Sequence, residues 1–412
     1  MKNTIKVLLA VLTLFILNFS FLIHNCMSQW VQMSNGMGNI YITSLAVNGN
    51  NIFAGTWPST GIYISTNNGT NWTHTSLNNQ EIRSLLVNGN NIFTGTKPNG
   101  VFLSTDNGTS WAQTSLNSHD ILSLAVNGNN IFAGSDSNGV YLSTNNGTTW
   151  NQTSLNNRNV WSLAVSGSNI FAGTYGYGVF LSTDNGTTWT QTSLINRTIN
   201  ALAVNGNNIF AGTTTGVYIS TDNGTIWTQT SLNNHVLYSL AVNGNNVFAG
   251  TGDYNGVFVS SNNGTNWTQR NEGLGNRIVA AFCILNNYMF AGTYNVSVYR
   301  RPLGELITGI QPVSVLIPKE FKLMQNYPNP FNPITKINFD IPVCHSGEGR
   351  NPVVNLVIYD ALGRKIETLV NQKMNAGSYS VDFNASNLSG GVYFCRMQSA
   401  GFTDVKKLVL LK

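Results

Sequence analysis

Hydrophobic and polar residues alternate in short runs along most of this chain, and Asn, Gly or Pro separates the runs. In the stretch from residue 40 to residue 80, the runs are Ile42 to Val47, Ile52 to Thr56, Gly61 to Ser65 and Trp72 to Ser76. Alternation with a period of two predicts strands, and Asn-Gly between two such runs predicts a tight hairpin turn. We therefore expect a four-stranded antiparallel sheet here.

The same unit recurs along the chain. The segment Ser104-Thr-Asp-Asn-Gly-Thr-Ser-Trp111 returns with small changes about every 39 residues. A second phrase, Leu45 to Thr56, recurs between these segments and is found once more, in altered form, from Ala280 to Thr293. Seven units of four short strands predict an all-β fold, a seven-bladed β-propeller.

The seventh unit lacks its own last strand, and the start of the mature chain supplies a candidate. Trp30-Val-Gln-Met-Ser34 matches the fourth-strand phrase Trp189-Thr-Gln-Thr-Ser193. We expect this N-terminal strand to complete the last blade, whose other strands run from about Ile278 to Arg301. A ring closed in this way leaves no open blade edge.

The segment Ser-x-Asp-x-Gly-x-x-Trp resembles the Asp-box, or BNR repeat, of sialidases, photosystem assembly factors and many secreted bacterial propellers. Asp occupies its acidic position in three of the six boxes and Asn in the other three, so the turn needs an acceptor oxygen rather than a metal ligand or a catalytic acid. We therefore predict a structural role, with Trp packing between blades. The box residues are Asn67, Trp72, Asp106, Trp111, Asn145, Trp150, Asp184, Trp189, Asp222, Trp227, Asn262 and Trp267.

Differences between the units concentrate in the loops of the opposite face. Loops on a rigid scaffold commonly carry recognition, although variation there can also be drift. The ligand-binding candidates on this variable-loop face are Trp57, Arg83, His119, Arg158, Trp161, Tyr175, Tyr177, Arg197, His235, Tyr238 and Tyr254.

The amino-acid composition narrows the classes of partner and function that we expect. Only 9% of the 412 residues are charged, against roughly 25% in an average soluble domain, and there is no basic stripe, so nucleic acid is not an expected partner. No phosphate loop, metal-ligand pattern or serine elbow is present, and no cofactor or metal is expected. The Arg-Ile-Pro signature of sialidases is absent and the carboxylates are scattered, so we do not expect an enzyme.

The N-terminus is typical of a secretory signal peptide. Lys2 and Lys6 precede an apolar stretch from Val7 to Leu17, and small residues follow, so the mature chain is predicted to begin at Gln29. A retained anchor is the alternative, but the stretch is shorter than the ~20 residues of a spanning helix. Cys26 as a lipid-attachment site is the other alternative.

The remaining cysteines are Cys283, Cys344 and Cys395. Three cysteines without close spacing indicate neither a disulfide framework nor a zinc site. A bridge between Cys344 and Cys395 and buried free thiols both stay open.

A different pattern begins at Tyr327-Pro-Asn-Pro-Phe-Asn-Pro333, where strand-like runs predict a small Ig-like β-sandwich. Together with Val357 to Arg364, Gly377-Ser-Tyr and Asn387 to Tyr393, this opening closely resembles the type A sorting domain of the type IX secretion system of the Bacteroidota and relatives. The resemblance implies Sec export and passage through the outer membrane, with the secretion machinery as partner of residues 321–412. A plain sandwich binding module is the alternative.

The predicted organisation is a signal peptide (1–28), the propeller (29–301), a linker (302–320) and the sorting domain (321–412). We expect a secreted or outer-membrane surface protein, monomeric, that binds an extracellular protein or glycan. The alternatives are a sialidase-like glycan-cleaving enzyme and a structural spacer without a ligand.

Overall fold

The computed structural model describes residues 29–308, 311–314, 318–343, 352–374 and 376–412. The predicted signal peptide and Cys344 lie outside these residues. Two compact units are present, Gln29–Leu303 and a second unit that begins at Gly304.

The first unit consists of seven four-stranded antiparallel sheets, as the repeat predicts. The first three blades contain β2 to β13: Tyr41–Asn48, Asn51–Trp57, Ile62–Ser65, Thr73–His74; Glu81–Asn88, Asn91–Lys97, Gly100–Ser104, Ala112–Gln113; Ile121–Asn127, Asn130–Ser135, Val140–Ser143, Asn151–Gln152. The next three contain β14 to β25: Val160–Ser166, Asn169–Thr174, Gly178–Ser182, Thr190–Gln191; Ile199–Asn205, Asn208–Thr213, Gly216–Ser220, Thr228–Asn233; Leu237–Asn243, Asn246–Thr251, Val257–Ser260, Thr268–Gln269.

The seventh blade joins both ends of the unit. Its inner strands are β26 to β28 (Val279–Leu285, Tyr288–Thr293, Ser297–Pro302), and its outer strand is β1 (Val31–Gln32). Val31 pairs with Arg300, and the Trp30 indole donates to the Arg270 carbonyl at 2.7 Å. The first strands of successive blades touch one another around the ring, and β26 touches β2, which closes it.

The blades are held together by a repeating hydrophobic seam. The second strand of each blade carries a fully buried phenylalanine between neighbouring sheets, and these are Phe53, Phe93, Phe132, Phe171, Phe210, Phe248 and Phe290. Because every blade contributes the same residue, each interface repeats the packing of the previous one, which is how radial repetition builds a core.

The second unit is a two-sheet β-sandwich that follows one short helix, Leu303–Thr308. One sheet has the order β29 (Gln311–Ser314), β34 (Gly377–Asn384), β31 (Ile334–Ile341), β30 (Lys322–Leu323). The other has the order β33 (Lys365–Lys373), β32 (Val353–Asp360), β35 (Gly391–Ser399), β36 (Phe402–Leu410). Both sheets supply the buried core.

The Pro-Asn-Pro opening has a structural role in this sandwich. The Asn326 amide donates to Thr335 Oγ1 at 2.9 Å, and Asn329 Oδ1 accepts from the Val409 backbone at 2.9 Å. Proline removes backbone donors from this segment, so asparagine side chains fasten it to the neighbouring strands instead. Cys395 is a buried free cysteine whose thiol pKa is raised by burial to about 12.

Candidate functional site

Each blade contains a β-bulge at the same place. The pairing of its first two strands shifts by one residue, for example between Ile121 and Ser123 in the third blade. A bulged residue is released from the ladder and its side chain is redirected. We call the seven bulged residues the bulge ring: Thr43, Arg83, Leu122, Trp161, Asn200, Tyr238 and Ala280.

All seven residues of the bulge ring line one cavity of about 500 Å³. Three further residues complete the lining: Lys97 ends the second strand of its blade, and Asp136 and Tyr294 directly follow the second strands of theirs. Since the seven inner strands surround the ring axis, the cavity lies at the mouth of the central channel.

The bulge ring is where the otherwise similar blades differ. Ile, Val or Leu precedes each bulged residue and Ser or Ala follows it, whereas the ring itself holds seven different residue types. The preceding residue is fully buried in every blade, as with Ile121 and Val160. The structure therefore holds the flanking positions constant and leaves the bulged position open to variation.

The second and third blades supply an arc of charged groups. Arg83 is ion-paired with Glu81, and Lys97 with Asp120 at 2.9 Å. The hydrogen bond to Asp120 raises the pKa of Lys97. Both cations of the cavity wall thus have a carboxylate partner in the protein.

Aromatic rings occupy the other sides. Trp161 lies 5.0 Å from Tyr175 in the fourth blade, measured between ring centroids. Across the ring, Tyr294 lies 6.1 Å from Tyr238 and 5.2 Å from Tyr41. Burial raises the pKa of the Tyr294 hydroxyl, which is consistent with a position deep among these rings.

The residues predicted from sequence to bind a ligand fall into three groups. Arg83, Trp161 and Tyr238 line the cavity. Trp57 and Tyr175 lie at its edge, where Trp57 packs edge-on against Tyr41 at 5.0 Å. The third group lies outside the cavity lining: His119, Arg158, Tyr177, Arg197, His235 and Tyr254.

Most of this third group is engaged within the protein. His119 accepts or donates a 2.8 Å hydrogen bond with the Tyr141 hydroxyl, and His235 contacts Asp253 at 2.9 Å. The guanidinium groups stack on tyrosines, with Arg158 over Tyr177 and Arg197 over Tyr218. Tyr254 is 62% exposed and faces solvent.

Sequence reasoning missed Thr43, Leu122, Asn200 and Ala280, because none of them is an aromatic or charged residue. The signal that identifies them is their column: aligned by repeat, they share the bulged position with Arg83. Two of them also join blades, since Thr43 Oγ1 donates to the Ile82 carbonyl at 2.6 Å and Asn200 Nδ2 to the Leu237 carbonyl at 2.8 Å.

The opposite face carries the Ser-to-Trp turns. In the third blade, Ser143 Oγ accepts from the Gly147 backbone at 2.8 Å, Asn145 Oδ1 accepts from the Thr149 backbone at 2.9 Å, and the Trp150 indole donates to the Gly147 carbonyl at 3.1 Å. Asp-containing turns use the same bonds. Donation from Ser110 and Ser104 lowers the pKa of Asp106 to about 2.

These turns also connect successive blades. The Asn127 amide donates to Asn185 Oδ1 at 3.0 Å and to the Gly167 carbonyl at 2.9 Å. The Asn88 and Asn205 amides make the corresponding bonds, each to an asparagine of the blade that follows its own. This face is therefore occupied by structural hydrogen bonds.

Among the described residues, no cluster of His, Cys, Asp or Glu could hold a metal ion. In the same residues, no helix has the length and apolar character required to cross a membrane.

Comparisons with known proteins agree with both units. Residues 325–411 match the family model described as the secretion system C-terminal sorting domain, which confirms the predicted sorting domain and indicates export by type IX secretion to the cell surface or the extracellular space. No curated protein matches the chain.

Solved structures show the propeller fold. YCF48 from Cyanidioschyzon merolae is 14% identical, with a TM-score of 0.55 over 67% of this chain and 99% of that chain. The GH74 enzyme of Niastella koreensis is 14% identical, with 0.52 over 92% and 67%. Inactive virginiamycin B lyase from Staphylococcus aureus, with quinupristin, is 11% identical, with 0.56 over 66% and 98%. At such identities the likeness extends to the fold alone: the chain is a β-propeller that carries a secretion sorting domain.

Proposed function

We propose that this protein is a non-catalytic binding protein, exported by type IX secretion, whose propeller takes an extracellular ligand in the channel-mouth cavity. The observation that carries the proposal is the bulge ring. Seven positions that the sheet ladder does not constrain converge on one cavity and carry seven different residue types.

Drift alone is a poorer account of this pattern. Drift accounts for differences between the blades but not for the convergence of all seven differing residues on one cavity. Variation at the cavity places an arginine, a tryptophan and a tyrosine together, the side chains that are enriched where proteins bind ligands.

The export half of the proposal follows from the sorting domain. The repeats are Asp-box repeats in this proposal, since their turns have the hydrogen bonds that the motif requires. Residues 1–28 act as the Sec signal peptide, and the mature chain is a monomer that is either released or held at the outer-membrane surface.

The arrangement of carboxylates favours binding over glycan cleavage. Glycoside hydrolysis uses two carboxyl groups that flank the bond. Of the carboxylates at the described cavity wall, Asp136 lines the cavity, whereas Glu81 and Asp120 are ion-paired with Arg83 and Lys97.

The test compares two triple variants of the chain from Gln29 to Lys412. The cavity variant carries Arg83→Ala, Trp161→Ala and Tyr238→Ala; the matched control carries Arg197→Ala, Tyr177→Ala and Tyr254→Ala, on the same face but outside the cavity. Both are screened on a glycan array, on a random peptide library and with fluorogenic glycosides. We expect that only the cavity variant fails to bind the ligands of the wild type. We also expect that none of the proteins hydrolyses a fluorogenic glycoside. Equal binding by the two variants, or glycoside hydrolysis by the wild type, contradicts the proposal.

A further inference from the structure

We infer that the ligand of the channel-mouth cavity is an uncharged oligosaccharide, held between the aromatic walls on opposite sides of the bulge ring. This inference rests on the proposed binding function and specifies its ligand. Three features of the cavity carry it: the placement of the rings, the pairing of the charges and the scarcity of aliphatic side chains.

The aromatic rings are placed to accept sugar faces. Trp161 and Tyr175 remain 37% and 54% exposed at the fourth blade. Tyr294 and Tyr41 lie on the seventh and first blades, which face the fourth across a seven-membered ring, and Tyr238 lies beside Tyr294 on the sixth blade. A pyranose ring presents C–H groups on its faces, and these pack favourably on the electron-rich face of an aromatic ring.

The charges of the cavity wall are already balanced. Arg83 and Lys97 each contact a carboxylate of their own or the next blade. An anionic ligand would have to compete with Glu81 and Asp120 for these cations, and it would also meet Asp136. An uncharged ligand avoids that competition.

Paired ions remain useful to hydroxyl groups. A guanidinium carries five N–H donors and a carboxylate has about four acceptor sites, so an ion pair leaves several of each for a ligand. Asp136 is well suited as an acceptor, because among the described residues its carboxylate receives a long 3.4 Å hydrogen bond from Ser137 and no other. The cavity therefore offers aromatic rings to the faces of a sugar and fixed ionic groups to its hydroxyls.

A peptide or lipid would make few apolar contacts in this cavity. The aliphatic side chains of the cavity wall are Leu122 and Ala280, which come from blades that do not neighbour each other. Apolar anchors bind in pockets lined predominantly by hydrophobic side chains. The cavity volume, about 500 Å³, suits a short oligosaccharide segment.

The experiment titrates the chain from Gln29 to Lys412 with four probes, namely cellotetraose, mannotetraose, N-acetylchitotetraose and the anionic tetragalacturonate, by calorimetry and tryptophan fluorescence. We expect at least one neutral probe to bind, with an affinity that changes little with salt, since no net ion pair forms. Trp161→Ala should weaken it by about tenfold or more, and Tyr238→Ala, as an independent second variant, by several-fold.

Tyr254→Ala is the matched control. Tyr254 is an aromatic residue of the same face, 62% exposed, and lies outside the cavity lining. The control should retain the wild-type affinity within about twofold.

The possible failures are distinguishable. Selective binding of tetragalacturonate, or neutral binding that Trp161→Ala and Tyr238→Ala leave intact, overturns the saccharide assignment. Binding of library peptides, without any of the sugars, overturns it too but leaves the proposed binding function standing. If neither the sugars nor the library peptides bind, both the saccharide assignment and the proposed binding function are overturned.

Discussion

The two faces of the propeller are built from the same repeats, yet they treat variation in opposite ways. On the turn face, a buried serine and an Asn or Asp accept hydrogen bonds from backbone N–H groups of the turn, and the glycine supplies one of these N–H groups. On the cavity face, the bulged residue has no partner in the strand register, and of the seven described side chains only those of Thr43 and Asn200 donate a hydrogen bond to the next blade. The comparison shows that solvent exposure alone does not determine which positions vary between the blades. A position varies less when its side chain makes more structural contacts.

The turn-face glycine gives the sharpest case. Gly147 has φ +81°, and a Cβ atom at this position would lie 2.6 Å from Phe93 of the preceding blade. Gly128 has φ +62°, with nothing within 4 Å of such an atom. The two glycines therefore share backbone strain and differ in packing.

The largest effect is expected for Gly147→Ala. Left-handed strain costs roughly 1–2 kcal/mol, and overpacking against Phe93 adds about 1–3 kcal/mol. Gly128→Ala should show only the strain. Urea unfolding followed by tryptophan fluorescence measures the difference between the two free energies of unfolding; equal losses would show that the Phe93 contact is slack.

The bulge separates two neighbouring residues on one strand. Ile121 is fully buried, whereas Leu122 is the bulged residue. Ile121→Asn should cost roughly 3 kcal/mol or more, from lost burial and an unsatisfied amide. Leu122→Asn, which copies Asn200 of the fifth blade, should stay within about 1 kcal/mol of the wild type. Thermal unfolding of both variants tests the contrast, and a large loss for Leu122→Asn would mean that the ring is structurally fixed.

Acid distinguishes the turns that use Asp from those that use Asn. Hydrogen bonds lower the pKa of Asp106 and of Asp184, the latter chiefly from the Thr188 backbone, to about 2, below the ordinary 3.8. The unfolded chain therefore binds these protons more tightly, and the stabilisation present above pH 3.8 is lost as the pH falls toward 2.

The triple variant Asp106→Asn, Asp184→Asn and Asp222→Asn should consequently lose less thermal stability between pH 5 and pH 2.5 than the wild type does, and the difference should be small because the turns are exposed. Differential scanning calorimetry at the two pH values measures it. Identical pH profiles would contradict the lowered pKa of the three carboxylates in the folded chain.

Much of the architecture could be predicted because repetition amplifies a weak local signal. One Asn-Gly between apolar runs suggests a hairpin, and seven repeat units in register predict a propeller. The sorting domain was predictable for another reason, since its Tyr327-to-Pro333 opening and the segments that follow it resemble a known family.

The cavity was only partly predictable. Alternation along a strand does not show a one-residue shift, so Leu122 and Ala280 read as ordinary strand positions. His119 and Arg197 looked like ligand groups, but their partners, Tyr141 and Tyr218, lie on a later strand of the same blade. Such pairings depend on tertiary geometry, which residue type alone does not reveal.

The closure of the seventh blade bears on how fast the molecule assembles. Trp30 reaches its partner Arg270 only after some 240 residues have been placed between them, and contacts of such sequence separation slow folding. The preceding blades pair with near neighbours and can form as the chain lengthens. We therefore expect the joining of β1 to β28 to come late in folding, so that a chain lacking its last repeat is cleaved by protease faster than the closed ring.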